Sequence, residues 1–243
     1  SVDYLISSVT VCYRSGIAEI YLTVPDVPPA KIILGDSVVA KVDFSIFDPP
    51  PAHLIVCHGT PEDDLAATTN EQRNAALAAV RTALLQHQEE IFEANRQDME
   101  QAEADGVSGP VRKRLKFDEG KLRDVMAGIS DLTGMEDPLF QTQFARELDE
   151  GLVLKRVTCP IGVIGVIFEA RPDALVQISA LCIKSGNCAI LKGGSEALRT
   201  NKTLFDIIHR AVINAGLPAE CMMQLEARSE INELLECHDS VDL

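Results

Sequence analysis

The stretch from Gly162 to Asn201, GVIGVIFEARPDALVQISALCIKSGNCAILKGGSEALRTN, constrains the fold more than any other part of the chain. With Ile161 it opens on eight residues, IGVIGVIF, that are apolar without alternation, as a central parallel strand covered on both faces requires. Pro172 suits the first turn of a helix, and Leu175, Ile178, Leu181 and Cys182 give that helix a face toward a sheet. Gly186-Asn187 ends the helix, and Cys188 to Leu191 returns as a second buried strand. A Gly-Gly turn follows, and a helix from Glu196 to Ala215 turns Ala197, Leu204, Ile207, Ile208 and Ala211 inward, until Gly216-Leu217-Pro218 stops it. This order is a βαβα unit. In such units the carboxyl ends of the parallel strands are where nucleotides bind.

Two segments lie at those strand ends. Phe168, Glu169, Ala170 and Arg171 follow the first strand, and Lys192, Gly193, Gly194, Ser195 and Glu196 follow the second. In the second segment the glycines permit a sharp turn and close backbone approach to a ligand, Ser195 can cap the next helix, and Lys192 supplies a cation. The pattern is neither G-x-G-x-x-G nor G-x-x-x-x-G-K-[ST], so a ligand-holding turn and a purely structural one both remain open.

The flanks complete the organisation. Residues 1 to about 60 hold all three Tyr and half of the twelve Pro, and four runs there read as strands: YLISSVTVCY, IAEIYLTV, KIILGDSVVAKVDFSIF and HLIVC. Four short strands need a covering partner for stability. From Pro61 the chain turns Ala-rich and helical. Thr69 with Gln72 forms a capping box that starts a helix near Asn70, with Leu77, Val80, Leu84 and Leu85 on one face. After His87 a second apolar set, Ile91, Phe92 and Met99, runs to a stop at Gly106, while Glu89, Glu90, Glu93 and Asp98 read as a solvated face. A short basic helix follows Gly109-Pro110. Arg112, Lys113 and Arg114 in it are a phosphate-binding cluster or, as is commoner, a solvated face paired with nearby carboxylates. Asp118 caps a further helix carrying Leu122, Val125, Met126, Ile129 and Leu132, closed by Gly134 in a left-handed position. Residues 139 to 150 read as a polar crossing, Leu152 to Pro160 as a strand with one wet face, Cys221 to Leu225 as a third buried strand, and Ser240 to Leu243 as the beginning of a fourth.

Charge and cysteine usage narrow the function classes. A formal net charge of −15 with no basic stripe argues against nucleic acid or an anionic membrane as a partner. No run reaches the ~18 apolar residues of a membrane-spanning helix. Seven Cys, an odd number without C-x-x-C spacing, read as reduced thiols of a cytoplasmic protein. The pairs Cys57-His58 and Cys237-His238 are poor metal ligands because adjacent side chains rarely converge on one ion, so no metal site is expected.

Taken together, MEDPL, LVLKRVTCPIGVIGVIFEARPDALVQISALCIKSGNCAILKGGSEALRTN and HDSVDL resemble the glutamate-5-semialdehyde dehydrogenases (gamma-glutamyl phosphate reductases) of the aldehyde dehydrogenase superfamily. The same module occurs behind a glutamate kinase in bifunctional pyrroline-5-carboxylate synthases. The resemblance spans roughly Asp64 to Leu243. It implies an aldehyde-dehydrogenase-like α/β fold: a partial Rossmann-type parallel sheet preceded by a helical segment, within residues 61–243, behind an unmatched β-rich leader at 1–60. It implies reduction of gamma-glutamyl phosphate by NADPH in proline biosynthesis, with a Cys thiolate attacking the acyl phosphate and hydride reducing the thioester. Lys192 would then touch the adenosine ribose or its phosphate, with Gly193, Gly194, Ser195 and Glu196 completing the turn and Phe168, Glu169, Ala170 and Arg171 lining the cleft. A cationic Lys192 beside a small Ser195 fits a 2′-phosphate. The family chain continues past HDSVDL to its nucleophilic Cys, and Cys159, Cys182, Cys188, Cys221 and Cys237 sit on cofactor-side elements. The expectation is therefore an amino-terminal, cofactor-binding portion with no catalytic residue of its own, from a homo-oligomeric enzyme or one joined to glutamate kinase. The alternatives are a non-catalytic NADP-binding fragment and a self-associating one.

Overall fold

The computed structural model describes residues 8–14, 17–23, 30–34, 65–149, 152–227, 230–236 and 241–243. By their contacts these fall into two units. One contains the strands before residue 60 and Pro138–Ile161, the other Pro61–Asp137 and Gly162–Leu243.

The first unit is a five-stranded sheet. Strands β1 (Ser8–Arg14), β2 (Ile17–Thr23) and β3 (Ala30–Leu34) form an antiparallel meander, and β4 (Thr142–Asp149) and β5 (Leu152–Val157) form an antiparallel pair. The order is β3-β2-β1-β5-β4, with β1 and β5 parallel and Val9 opposite Leu154. The first two strands agree with the runs read from sequence, and β3 covers the beginning of the third. The rest of that run and HLIVC lie outside the described residues. Strand β4 corrects the expected polar crossing at 139–150: all eight of its residues are exposed, so hydrogen bonds to β5 define it rather than burial. Thr158 fastens its approach, with Oγ1 donating to Pro138 O at 2.7 Å while Phe140 N–H donates to Thr158 O at 2.8 Å. These bonds hold Phe140 at φ +57°, a left-handed conformation that a bulky residue adopts only under such constraint.

In the second unit a helical layer comprises α1 (Asn70–Gln86), α2 (Gln88–Ala104), α3 (Gly109–Leu115) and α4 (Glu119–Gly134). The capping box of Thr69 and Gln72 is present, and so is the Asp118 cap, whose carboxylate accepts from Lys121 N. Two expectations are corrected here. Leu85 is 50% exposed, because it stands about 100° around the helix from Leu84 and beyond the buried stripe of Leu77, Val80 and Leu84. Gly134 is the last helical residue rather than a left-handed terminus, and the chain leaves the helix through extended Met135.

The sheet of this unit is parallel, in the order β6 (Val163–Ile167), β7 (Cys188–Lys192), β8 (Met222–Leu225). Helix α5 (Pro172–Lys184) joins β6 to β7, α6 (Leu198–Asn214) joins β7 to β8, and α7 (Glu230–Glu236) follows β8. Leu175, Val176, Ala180, Ile183, Leu204, Ile207, Ile208 and Val212 share one core with Leu77, Val80, Leu84, Val125 and Ile129 of the helical layer. Burying each Leu, Ile or Val among them contributes about 1.5–3 kcal/mol. Leu181, expected inward, is 54% exposed, and Val176, Ala180 and Ile183 occupy the face instead.

Strand β7, not β6, is the most covered strand of this sheet, with four of its five residues buried; the residues of β6 are half-buried to exposed. A partner reaches the other side of β6. Leu243 N–H donates to Val163 O at 3.3 Å and Gly165 N–H to Leu243 O at 2.7 Å, a parallel ladder centred on Ile164. Residues 241–243, the described part of the expected fourth strand, thus lie beside β6 without forming a strand. A Cβ on Gly165 would stand 3.3 Å from Leu234 and 3.6 Å from Val241, so the glycine admits this close packing. The chain runs outward through β6, β7 and β8 and returns to the far side of β6, which makes the carboxyl end of β6 a topological switch point. Among the described residues no helix is long and apolar enough to cross a membrane.

Candidate functional site

The two expected segments meet at the carboxyl ends of β6 and β7. Phe168 N–H donates to Lys192 O at 3.0 Å, extending the pairing of the two strands by one step. Ala170 follows at φ +28°, a conformation costly for a residue with a side chain, and its N–H donates to Glu196 Oε1 at 2.7 Å. The Glu196 carboxylate therefore ties the loop after β6 to the turn after β7. Glu169 and Arg171 are exposed to either side of the buried Ala170.

Lys192 is 7% exposed. Its ammonium donates to Gly193 O at 2.6 Å and makes no ion pair among the described residues. An ammonium has three donors, so this side chain keeps capacity for an anion or hydroxyl at the strand end. The glycines are required by space rather than by backbone hand, since neither has positive φ. A Cβ on Gly193 would fall 2.1 Å from Asn201 Nδ2 and 3.2 Å from the Phe168 ring, and one on Gly194 2.3 Å from Glu196 Oε1. Asn201 beneath the turn is 2% exposed, and its Oδ1 has no hydrogen-bond partner.

The role expected of Ser195 is corrected. It is exposed in a single 3-10 turn, Ser195–Ala197, and caps nothing; α6 begins only at Leu198, behind Ala197. The anion that satisfies the amino end of α6 comes from the protein itself. Asp98, read from sequence as part of a solvated face, is 2% exposed, and its Oδ2 accepts from Thr200 N at 2.8 Å and Thr200 Oγ1 at 2.7 Å. Its Oδ1 accepts from Arg199 N and Nη1, both at 3.3 Å. Asn95 supports the same junction, donating to Leu115 O at 2.9 Å and accepting from Phe117 N at 2.8 Å. The sequence signal for Asp98 was present but weak: it lies two turns after Ile91 and one turn after Ala94 on the buried face of α2.

Arg171 stands apart from Lys192. Its Nη2 donates to Asp173 Oδ2 at 3.2 Å, and Lys121 Nζ, from the first turn of α4, reaches the same oxygen at 2.9 Å. Burial pushes the Asp173 carboxyl upward, but the hydrogen bonds from Lys121 and Arg171 outweigh it and hold the group below the usual carboxylate range. Neither Lys121 nor Asp173 was singled out in the sequence, because they meet only through the packing of α4 on α5.

The thiols of Cys182, Cys188 and Cys221 are buried, and that of Cys159 is half-buried. Burial pushes Cys182 up to about 11 and Cys221 up to about 12, and Cys188 is 4% exposed. The Cys182 and Cys221 thiols are therefore protonated at neutral pH and are poor nucleophiles. Cys57-His58 and Cys237-His238 fall outside the described residues. Of the basic cluster, Arg112 pairs with Glu103 at 3.2 Å, as expected of a solvated face.

A parallel sheet with its switch point at β6, a hooked loop after it and a buried lysine at the end of β7 define an aldehyde-dehydrogenase-like fold. The structure of a probable aldehyde dehydrogenase from Listeria monocytogenes superposes with a TM-score of 0.58 at 15% identity, over 74% of this chain and 38% of that one. Relatives that are closer in sequence narrow the class. The gamma-glutamyl phosphate reductases of Ruminiclostridium cellulolyticum and Pelotomaculum thermopropionicum are 50% and 52% identical over 179 residues, 74% of this chain and 41% of each relative. The crystal structure of gamma-glutamyl phosphate reductase from Thermotoga maritima gives a TM-score of 0.72 at 31% identity, over 74% of this chain and 44% of that one. This chain is a homologue of the gamma-glutamyl phosphate reductases. It spans about two fifths of the length of the curated relatives it matches. No family model matches it.

Proposed function

We propose that residues 61–243 form the part of a gamma-glutamyl phosphate reductase that holds the adenosine end of NADPH, and that the whole protein reduces gamma-glutamyl phosphate to glutamate-5-semialdehyde on the way to proline. The observation that carries this reading is Lys192: an ammonium 7% exposed, at the carboxyl end of a central parallel strand, with one neutral acceptor among the described residues. In this reading it donates to the adenosine ribose or its 2′-phosphate. Gly193 and Gly194 keep the backbone open to the nucleotide, and Glu196 holds Phe168, Glu169, Ala170 and Arg171 as the facing wall. Ser195, exposed and free of any capping duty, leaves room for the 2′-phosphate. Bound NADPH would supply the hydride.

The thiol that forms the acyl-enzyme is proposed to be none of Cys159, Cys182, Cys188, Cys221 and Cys237; the raised thiols of Cys182 and Cys221 support this for the core pair. The buried, protonated thiols of Cys182 and Cys221 support a reducing, cytoplasmic setting. The exposed β4 strand supports self-association of the whole enzyme.

Fluorescence titration of the chain with NADPH and NADH tests the site. Lys192→Ala is expected to weaken NADPH roughly ten-fold, the loss of one charge-assisted contact, and to erase the preference over NADH. Equal affinities for wild type and variant would overturn the assignment.

A further inference from the structure

Asp173, Arg171 and Lys121 form a second charged feature at the switch point, separate from Lys192. Asp173 is 3% exposed and sits in the first turn of α5, while the side chains of Arg171 and Lys121 are 51% and 38% exposed. Both cations converge on one carboxylate oxygen, at 3.2 and 2.9 Å. One buried negative charge cannot neutralise two positive ones, so the trio presents a net positive charge to solvent in a chain whose formal net charge is −15. The other N–H groups of Arg171 have no protein partner among the described residues. A guanidinium anchored through one nitrogen keeps a planar edge free, the geometry that suits a phosphoryl group. Lys121 and Arg171 share an oxygen, so they stand close enough for one tetrahedral oxyanion to touch both.

Position adds to charge. Arg171 follows β6 directly, and the bond from Ala170 N–H to Glu196 fixes the backbone immediately before it. The carboxyl end of β6 is the switch-point crevice, the place where open α/β sheets take their ligands. Other carboxylates stand near the pair: Asp118 accepts from Lys121 N and is paired with Lys116, Glu196 is held by Ala170 N, and Glu169 is exposed without an ion pair among the described residues. By contrast the amino end of α6 is closed to anions by Asp98. The basic helix α3 has one of its three cations paired with Glu103.

We infer that Arg171 and Lys121, oriented by Asp173, are a phosphoryl-recognition pair. This rests on the reading of the chain as part of an acyl-phosphate reductase. The phosphoryl group is that of the acyl phosphate or of the cofactor's pyrophosphate.

Dicarbonyl modification of arginine, quantified peptide by peptide, reads the pair directly in the full chain. Inorganic phosphate and acetyl phosphate are expected to slow modification of Arg171 several-fold relative to chloride at matched ionic strength, with other arginines unaffected. Lys121→Gln is expected to raise the phosphate concentration needed for protection roughly ten-fold. Protection by acetyl phosphate that persists alongside saturating NADP assigns the pair to the acyl phosphate. Protection by NADP that inorganic phosphate cannot augment assigns it to the pyrophosphate. Arg171 modified at the same rate under all these additions, or equal protection in Lys121→Gln, would overturn the pair. Lys192→Ala separates the two readings, since loss of its effect on NADPH affinity sinks the cofactor assignment while phosphate protection of Arg171 stands by itself.

Discussion

At Gly193 the absence of a side chain is a packing requirement. A Cβ there would stand 2.1 Å from the Asn201 amide, which is 2% exposed and hemmed in by the core, so it has no room to withdraw. Gly193→Ala is therefore expected to lower stability by about 2 kcal/mol, the usual size of an overpacking penalty, read as a fall in the urea midpoint. Asp173 yields a prediction in pH. Its carboxyl lies below the ordinary 3.8 in the folded protein, so the unfolded chain takes up the proton more readily. Its stabilising contribution is complete above that ordinary value and disappears as pH falls through it toward the depressed folded value. Thermal unfolding should find Asp173→Asn less stable than wild type at neutral pH, with the gap closing in acid. A gap that stays constant into strong acid would refute the role given to the trio.

Among the elements, α6 depends on a residue of another helix. Its first amides bond to Asp98 of α2, so Asp98→Ala should destabilise the protein by about 2 kcal/mol, as a lost cap does, and loosen the turn that carries Lys192. Urea unfolding and an NADPH titration would register the two effects. Lys184 does a comparable job for α5, donating to Asn70 Oδ1 at 2.9 Å, Asn74 Oδ1 at 3.0 Å and Met135 O at 2.9 Å. Lys184→Met should cost about 2 kcal/mol in the same measurement. These two residues mark how far the elements were legible in sequence. The capping box at Thr69, the helix stop at Gly186 and the buried strand β7 were readable because each rests on local chemistry or local apolar pattern. Asp98 and Lys184 were not, because a charge is read as surface until the helix that buries it is placed. Strand β4 was missed for the converse reason: its partner, not its own pattern, makes it a strand. In the site, the residues of both loops were legible as strand-end segments. Their link through Glu196 and Ala170, and the convergence of Lys121 on Asp173, required the packing.

For the second unit as a whole, one core connects the helical layer to the sheet, and Cys182, Cys188 and Cys221 all lie within it. Their exposure should therefore be a single event. A thiol reagent at neutral pH is expected to label the three at one common rate that follows global unfolding across a denaturant series. A separate fast phase for any of them would show that the core opens in parts. The pairing of β6 with Leu243 carries a consequence for synthesis. Val163 and its neighbours leave the ribosome some eighty residues before the segment that covers their outer edge. During that interval β7 and β8 can assemble on one side of β6, while its other side presents bare backbone donors and acceptors to solvent. A nascent chain paused between Leu225 and Val241 thus carries this edge open, and can exchange strands there with a neighbour on the same message.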